Sequence, residues 1–411
     1  MPRIEVRHPA TGEWRRGWPL VFGAMIGISA GPGLFQNLSS LFVPGLCAEF
    51  GWTRGQIATA AGLGLLGSVA APFLGRLADR LGARPMIVAC MLLIGVAYVG
   101  LATMPGALWH YQLLVFCLAL GVPGTSSVVY GRLIARGFLA HRGLAFGLAT
   151  SGLSLSTLLM PPVTGAVIAQ HGWRGGFLTL AGFTAIALPL ALLAIRRVRA
   201  SPVARATDEV ATITADAGVS GADARRDGRF WRLGLTALCI NFGTVGLVTQ
   251  LVPFGIDRGL EPADAALLLI AFAASQIVGR LAIGALVDRL SPRRIAATVA
   301  LVSAVAFGLL QLPAPGFASL ALLVFFAGLM NGAEFDLLPF FAARFFGVRA
   351  YGEVYGTLVP VALTGTAAGI IGFGRLYDAT GGYAVALAIA ALALLMAGAL
   401  FLSLDDRPAG T

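Results

Sequence analysis

Lysine is absent from the 411 residues, so all 29 basic residues are arginine, against 19 Asp and Glu. Charged residues make up only 12% of the chain, about half of the ~25% that is usual in soluble domains. The mean hydropathy is +0.84. The apolar residues fall in runs of about 20, the length needed to cross ~30 Å of hydrocarbon. The composition excludes an ordinary soluble domain and indicates a chain that crosses a membrane many times.

Cysteine and histidine are also scarce. The four cysteines lie far apart without a CxxC pair, which disfavours disulfides and thiolate metal sites. The four histidines fall in predicted tails and connections, so we predict no histidine relay inside the membrane. The pattern G-x-x-x-x-G-K-[ST] does not occur, which disfavours transport driven by ATP. We therefore predict no metal, no cofactor and no enzymatic activity.

The arginines cluster in alternate connections between the apolar runs, as the positive-inside rule expects of cytoplasmic segments. The basic clusters lie at 3–16, 76–84, 132–142, 196–232, 289–294, 344–349 and 407. The opposite connections hold only Arg54, Arg174, Arg258 and Arg375. This distribution predicts both termini on the cytoplasmic side of a bacterial inner membrane. It also explains the net charge of +10 without a nucleic-acid partner.

Gly, Pro and Arg clusters divide the apolar runs into twelve predicted helices. They cover 17–45, 54–75, 83–103, 108–131, 142–169, 174–195, 231–256, 263–287, 293–312, 316–342, 353–377 and 382–403. A polar stretch between the sixth and seventh helices has few large apolar residues and is typical of a linker. The prediction is an all-α membrane protein with an N-terminal six-helix bundle at 1–195, a cytoplasmic linker at 196–230 and a C-terminal six-helix bundle at 231–411.

The two predicted bundles repeat each other. The segment GRLADRL, which begins at Gly75, returns as GALVDRL from Gly284, 209 positions later. Similar offsets relate Gly143 to Gly352 and Gly147 to Gly356. Two homologous halves related by an axis along the membrane normal are the architecture of many secondary transporters, which hold their substrate between the halves.

The repeated motif resembles a known family signature. GRLADRLGARP, which begins at Gly75, is similar to the signature of the major facilitator superfamily between its second and third helices. The second copy, GALVDRLSPRR, departs from the signature at Ser291 and Pro292. The resemblance implies a cytoplasmic gate that joins the halves, formed by Gly75, Asp79, Arg80, Gly284, Asp288 and Arg289. A tight charged turn without a gating role is the alternative interpretation.

A narrower resemblance begins at the fifth predicted helix. The segment RGLAFGLATSG and the following GWRGG resemble monocarboxylate porters and their bacterial relatives, as does GLMNGAEFDLLPFFAARFFG from Gly328. In that branch an arginine of the eighth helix binds the substrate carboxylate, which implies this role for Arg280. The branch has an aspartate four residues earlier that forms a proton-coupling pair with the arginine. Here that position is Gln276, so the pair is incomplete.

Arg280 also stands out on physical grounds. It lies about 10 Å inside the predicted end of its helix at 1.5 Å per residue. An unpaired guanidinium at depth costs from ~2.5 to above 10 kcal/mol, so we expect it to face water, a carboxylate or a bound anion. Glu334 and Asp336 lie at similar depth in the tenth helix, ~200° apart around its axis. Two interpretations stay open: a permanent bridge that holds the helices, or an anion site and proton-coupling site whose ion pair loosens.

Neutral polar residues complete the predicted substrate site. Gln276, Asn37, Tyr130, Asn241 and Asn331 offer hydrogen bonds inside predicted spans, and interhelical packing is the alternative role for each. We expect a monomeric secondary transporter that moves a small organic anion, such as lactate or pyruvate, together with a proton. Anion exchange of the oxalate–formate type and efflux of an amphipathic or aromatic acid are the alternatives, and a transporter-like sensor is a more remote one.

Overall fold

The described part of the chain folds into α-helices that follow the twelve predicted spans. The computed structural model describes residues 10–70, 80–126, 129–131, 133–134, 138, 141–196, 220–286, 290–313, 316–347 and 351–404. The spans are α1 (Ala10–Ser29 and Pro32–Leu38), α2 (Arg54–Gly64), α3 (Ala83–Thr103), α4 (Leu108–Leu120), α5 and α6 (Arg142–Arg196, before and after Gly172), α7 (Gly228–Thr249 and Leu251–Asp257), α8 (Pro262–Leu286), α9 (Pro292–Leu309), α10 (Gly316–Phe346), α11 (Tyr351–Thr380) and α12 (Ala384–Leu402). Shorter helices are Ser39–Leu41, Val43–Phe50, Leu65–Ala70, Pro123–Thr125 and Gly221–Arg226.

Most of these helices have the length and hydropathy of membrane spans. Among the described residues, eight helices are long and apolar enough to cross a membrane, and one bent pair makes a ninth. The run Arg142–Arg196 counts once among the eight, although Gly172 breaks it with a φ of 70° and a ψ of 179°. Leu108–Leu120 is apolar but shorter. The break at Gly172 separates α5 from α6, as the sequence predicts.

The first span is bent within its predicted boundaries of 17–45. Gly17–Ser29 and Pro32–Leu41 meet at an angle of 48°. Pro32 has no N–H to donate to the preceding turn, and Gly31 adopts an extended conformation with a ψ of 170°. The sequence Gly-Pro-Gly therefore divides the span into two helical pieces.

The second and fourth α-helices end earlier than predicted. α2 ends at Gly64 rather than 75, and the 3-10 helix Leu65–Ala70 follows it. α4 ends at Leu120 rather than 131, and the 3-10 helix Pro123–Thr125 follows it, where Pro123 has no N–H to continue the α-helix.

Two further boundaries differ for local reasons. α10 continues to Phe346 rather than ending at 342, and Gly347 stops it with a φ of 75°. α7 begins at Gly228 rather than 231 because the Asp227 side chain accepts a hydrogen bond from the backbone N–H of Arg229. The predicted linker therefore ends three residues earlier than expected.

Left-handed glycines mark the internal duplication. Gly51 and Gly259 have φ values of 67° and 84°, and Gly172 and Gly381 have φ values of 70° and 71°. A third pair, Gly106 and Gly316, has values of 91° and 79°. The members of each pair lie 208 to 210 positions apart, close to the motif offset of 209. Because only glycine adopts this conformation readily, the turns of the two halves share a backbone geometry as well as a sequence pattern.

The two halves touch along two pairs of helices. α2 of the first half packs along α11 of the second, and α5 packs along α8. Near the end of the linker, the short helix Gly221–Arg226 is joined to α11 by an ion pair of 2.6 Å between Arg225 and Glu353. Residues 197–219 of the linker lie outside the described part of the chain.

Candidate functional site

Arg280 of α8 and Asp336 of α10 form the charged part of the candidate site. Arg280 is half-buried six residues before the end of α8, or about 9 Å along the axis. Asp336 lies ten residues before the end of α10, and its side chain is exposed. The carboxylate of Asp336 lies within electrostatic range of the guanidinium of Arg280. Of the two carboxylates considered in the sequence analysis, Asp336 is the one placed to act on Arg280.

Glu334 lies in different surroundings although it is only two residues away. Its side chain is buried, with 7% of its surface exposed. The Asn241 amide nitrogen donates a hydrogen bond of 2.6 Å to Glu334 Oε1 and another of 2.9 Å to the carbonyl oxygen of Ala237. The hydroxyl of Thr366 donates to Asn241 Oδ1 at 3.2 Å. Glu334 therefore meets an amide of α7 rather than the arginine of α8.

A small cavity lies beside Glu334, between α7, α10 and α12. Its wall is almost wholly apolar. Besides Glu334 it is lined by Leu233, Thr236, Ala237, Ile240, Leu337, Leu338 and Phe401. Because neither the amide of Asn241 nor this wall carries a charge, an ionised Glu334 has little to compensate its charge there.

Gln276 and Asn331 belong to a second buried chain of hydrogen bonds. Gln276 Nε2 donates to Asn331 Oδ1 at 2.7 Å, and Asn331 Nδ2 donates to Thr244 Oγ1 at 3.0 Å. The chain runs from α8 through α10 to α7. α8 and α10 can approach closely because Gly332 has no Cβ, and a Cβ there would collide with the backbone of Gln276. The structure thus brings four predicted site residues, Gln276, Asn331, Asn241 and Glu334, into two networks of the second half.

The two candidates of the first half are packed inside that half. Asn37 donates a hydrogen bond of 3.0 Å to the Thr157 hydroxyl, which joins α1 to α5. Tyr130 is fully buried, and its hydroxyl lies against Gly27 of α1. Neither contact reaches the networks of the second half.

The predicted cytoplasmic gate lies mostly outside the described residues. Gly75, Asp79, Asp288 and Arg289 fall there, so their gating role stays a prediction. Two of the six residues are described. They are Arg80, which is exposed, and Gly284, which belongs to α8.

The structure also shows a contact between the halves at the side opposite the predicted cytoplasmic gate. The sequence does not predict this contact. Arg54 at the start of α2 forms a two-pronged ion pair with Asp257 of α7, with N–O distances of 2.6 and 2.8 Å. Arg54 also donates to the Tyr383 hydroxyl at 2.9 Å and lies 4.0 Å from the ring centre of Tyr377. One cation of the first half is thus held by three side chains of the second.

A carboxylate of the second half also caps a helix of the first. Asp378 of α11 accepts hydrogen bonds from the Thr53 hydroxyl at 2.6 Å and the Gly55 N–H at 3.1 Å. A carboxylate is favourable at this position because a helix N-terminus carries partial positive charge. Arg375 donates to the Thr59 hydroxyl at 2.8 Å. We call the whole set the rim contact, formed by Thr53, Arg54, Gly55 and Thr59 with Asp257, Arg375, Tyr377, Asp378 and Tyr383.

One sequence signal pointed toward the rim contact. Arg54 and Arg375 are two of the four arginines that the sequence analysis places opposite the basic clusters, and both take part in it. Their partners were not predictable, because Arg54 and Asp257 are 203 positions apart and come from different halves.

Comparison with known proteins agrees with this architecture. The sequence matches the family described as Major Facilitator Superfamily over residues 17–359 and 255–411. Monocarboxylate transporter 13 of Bos taurus is 27% identical over 400 residues, which cover 95% of this chain and 89% of the relative. Monocarboxylate transporter 11 of Mus musculus is 28% identical over 391 residues, which cover 91% of this chain and 78% of the relative. The resemblance stated from the motifs is confirmed.

Solved structures show the same fold. A D-xylose–proton symporter has a TM-score of 0.75 at 15% identity and covers 96% of this chain and 100% of its own. A bacterial homologue of the human lysosomal transporter Spinster, inward-facing and unoccupied, has a TM-score of 0.69 at 15% identity, covering 96% of this chain and 99% of its own. The predicted fold of twelve helices in two six-helix bundles is confirmed. The chain belongs to the Major Facilitator Superfamily, and it is a multi-pass membrane transporter of a small molecule rather than an enzyme.

Proposed function

We propose that this transporter carries a small organic monoanion, such as lactate or pyruvate, whose carboxylate binds Arg280. The observation that carries the proposal is the position of Arg280, half-buried inside α8 and within electrostatic range of the exposed Asp336 on α10. A guanidinium presents a planar fork of donors that suits a carboxylate. The substrate carboxylate therefore replaces Asp336 as the anionic partner of Arg280.

A protein carboxylate and a substrate carboxylate can alternate on one guanidinium at low cost. Arg280 keeps an anionic partner in both states, so the charge is never left uncompensated in the membrane interior. Asp336 is exposed and can be solvated by water when the substrate displaces it. The names of the relatives, monocarboxylate transporters 11 and 13, agree with a carboxylate substrate.

A proton accompanies the substrate, and Glu334 is the residue that we propose to carry it. A buried carboxylate that faces one amide and an apolar wall is costly as an anion and stable as a neutral acid. Asp336 has different surroundings, because its side chain is exposed and the cation of Arg280 lies nearby. The two acids predicted for proton coupling therefore have different roles. Glu334 carries the proton, and Asp336 is the counter-ion of Arg280.

We place the transporter in a bacterial inner membrane, as a monomer, with both termini in the cytoplasm. An even number of spans puts the two termini on one side, and the arginine clusters favour the cytoplasm for that side. The rim contact then lies on the outer face. Single cysteines introduced beside Arg54 and in the linker would test this orientation. In intact cells, a membrane-impermeant thiol reagent should label the cysteine beside Arg54 and not the one in the linker.

Transport into proteoliposomes tests the proposal directly. We expect labelled lactate or pyruvate to accumulate when the outside is made acidic, and Arg280→Gln to lower the rate at least tenfold. Arg294→Gln is the matched control, because it removes the same charge from an exposed position of the same half. Equal uptake by wild type and Arg280→Gln for every acid tested would reject the proposed docking role.

Glu334→Gln separates the proton from the substrate. The variant keeps the size of the side chain but cannot lose a proton. We expect it to exchange internal for external acid while it fails to concentrate acid with a proton gradient. Accumulation at the wild-type level in Glu334→Gln would exclude this residue as the proton carrier.

Anion exchange is the second candidate function. Gln276 stands where the resembled porters have their proton-coupling aspartate, and a neutral amide there cannot take up a proton. An exchanger would need a counter-anion inside the vesicle and would ignore the proton gradient. Uptake that requires internal acid and does not respond to outside pH would favour exchange over symport.

A further inference from the structure

We infer that Gln276 presents its unused carbonyl oxygen to the substrate, so that the preferred acid carries a hydrogen-bond donor close to its carboxylate. The inference rests on the proposed docking of a carboxylate at Arg280. It concerns the chemistry of the group next to that carboxylate. A hydroxyl, an amine or an amide N–H meets the requirement, whereas a keto oxygen or a hydrogen atom on carbon does not.

A backbone carbonyl oxygen fixes the direction of the hydrogen bonds in the chain from Thr244 to Gln276. The hydroxyl of Thr244 donates to the carbonyl oxygen of Ile240 at 2.8 Å. A hydroxyl has one hydrogen to donate, and a carbonyl oxygen can only accept. Thr244 Oγ1 can therefore only accept a hydrogen bond from its other neighbour, Asn331.

This commitment sets the orientation of two amides in turn. Asn331 must direct its NH2 group at Thr244 Oγ1, which leaves its carbonyl oxygen for the next neighbour along the chain. Gln276 must then donate its own NH2 group to Asn331 Oδ1 at 2.7 Å. An amide orientation follows from the hydrogen bonds that it satisfies, and here all of them lead back to one backbone oxygen.

The end of the chain is an unused acceptor. Gln276 exposes only 6% of its surface, so it is a buried polar side chain whose remaining atom needs a partner. Within the described part of the chain, Gln276 Oε1 accepts no hydrogen bond, and protein atoms do not fully enclose it. This oxygen is open to a ligand that brings a donor.

Gln276 is also placed to act beside Arg280. The two residues are four positions apart on α8, so their Cβ atoms lie about 5–6 Å apart on one face of the helix. The backbone of Gln276 packs directly against Gly332 of α10, where a Cβ would collide with it. A carboxylate on Arg280 therefore has a fixed acceptor one helical turn away.

This geometry selects among acids of the same size. A 2-hydroxy acid directs its carboxylate at Arg280 and donates its hydroxyl hydrogen to Gln276 Oε1. Neither a 2-keto acid nor an unsubstituted acid has a hydrogen to donate to Gln276 Oε1, so both leave this buried oxygen without a partner. A single neutral hydrogen bond corresponds to about a fivefold to tenfold preference in affinity.

Three matched acids test the inference on the wild-type protein. Lactate, propionate and pyruvate compete for uptake of labelled lactate into proteoliposomes, and phenyllactate, 3-phenylpropionate and phenylpyruvate form a larger set. We expect the hydroxy acid of whichever set binds to be preferred over both companions, by about fivefold or more. Equal affinities within the set, or a preference for the keto acid, would overturn the inference and leave the docking role of Arg280 intact.

Two variants distinguish recognition from packing. Gln276→Met has a similar volume without the acceptor, and we expect it to bind the three acids within about twofold of each other. Thr244→Val lies away from the substrate but removes the acceptor that orients Asn331. The two amides can then reverse, so we expect loss of the hydroxy-acid preference there too. Retained selectivity in a folded Gln276→Met protein would contradict the inference, and retained selectivity in Thr244→Val would contradict the orientation argument.

The same experiment separates this inference from the proposed function. Arg280→Gln should weaken all three acids together, because it removes the group that they share. If Arg280→Gln binds every acid like the wild type, the proposed function fails and the inference fails with it. If Arg280→Gln weakens all acids but the wild type does not distinguish them, only the inference fails.

Discussion

The rim contact and the interior of the second half use opposite kinds of interaction. At the rim, charged groups of different halves meet, as in the Arg54–Asp257 pair, whose side chains keep 19% and 30% of their surface exposed. In the interior, amides and hydroxyls of one half meet, as in the buried chain from Gln276 through Asn331 to Thr244. The rim contact is thus charged and partly exposed to solvent, whereas the chain from Gln276 to Thr244 is neutral and buried.

This difference follows from which contacts must break during transport. An exposed ion pair costs little to separate, because water solvates both charges. A buried polar group that loses its partner costs about 1–3 kcal/mol, because nothing replaces the hydrogen bond. Contacts that open and close in each cycle are therefore best made from solvated charges. Contacts that hold a bundle rigid are best made from buried neutral groups.

The largest expected effect comes from two glycines of α11. A Cβ at Gly369 would collide with the backbone of Phe242 in the same half, whereas one at Gly374 would meet Ala58 and the Arg54 carbonyl of the other half. We expect Gly369→Val to lower the thermal stability in detergent through overpacking, by about 1–3 kcal/mol. We expect Gly374→Val to fold normally with its halves held apart at the rim.

Thermal unfolding and a distance measurement check this pair together. Spin labels at Ala48→Cys and Ala379→Cys, two exposed alanines of opposite halves, report the rim distance in a background without the native cysteines. Gly374→Val should lengthen that distance at an unchanged unfolding temperature. Equal loss of stability in both variants would mean that the halves do not move as separate bodies.

A smaller effect is expected from the charge at the rim. Asp257→Asn keeps the shape of the side chain and removes its charge, so Arg54 loses its two-pronged partner. The loss is about 1 kcal/mol for an accessible pair, which raises the population with an open rim about fivefold. The same spin labels measure it. Asp264→Asn removes an exposed acid at the start of α8 and should leave the distances unchanged.

Salt should weaken the rim contact and leave the buried hydrogen bonds of the interior unchanged. Raising the ionic strength from 0.1 to 1 M shortens the Debye length from about 10 to about 3 Å. We expect the open-rim population of the wild type to rise about twofold, and that of Asp257→Asn to stay constant. Selectivity among acids that depends on the interior chain should not change with salt. A salt response of equal size in Asp257→Asn would show that the pair with Arg54 is not its source.

The same contrast explains what the sequence could predict. The spans, the duplication and the isolated Arg280 follow from local composition and spacing, and a fold with repeated left-handed glycines agrees with them. The pairing of Asn241 with Glu334 does not follow, because it depends on how α7 turns toward α10. Two acids two positions apart were predicted to face different ways, but the sequence could not say which one would meet Arg280.

The rim contact was unpredictable for a further reason. Arg54, Asp257 and Asp378 lie near the ends of helices, where the local composition looks like any solvated surface. Their meeting depends on the two bundles being assembled, and residues 203 and more positions apart become neighbours only then. The orientation of the Gln276 amide is likewise invisible in sequence, since it is set by the carbonyl oxygen of Ile240 on another helix.

The smallest expected effect concerns an ion pair that does not join the halves. Glu49 contacts Arg174 and the Trp173 indole N–H within the first half. The Arg174 guanidinium, followed by the Trp173 N–H, lowers the pKa of Glu49 below its ordinary value of 4.5. A lowered carboxyl pKa stabilises the fold above that value, and the stabilisation is lost as the pH falls through the lowered pKa.

Glu49→Gln therefore tests whether any acid on this side controls the rim. Wild type and variant should differ slightly in unfolding temperature at pH 7 and converge as the pH falls from 4.5 through the lowered pKa of Glu49, because a protonated Glu49 and the glutamine that replaces it then make similar contacts. The distance between the labels at Ala48 and Ala379 should be the same in both proteins at pH 7. Opening of the rim in Glu49→Gln would mean that charge anywhere on this face, rather than the bond between Arg54 and Asp257, holds the halves together.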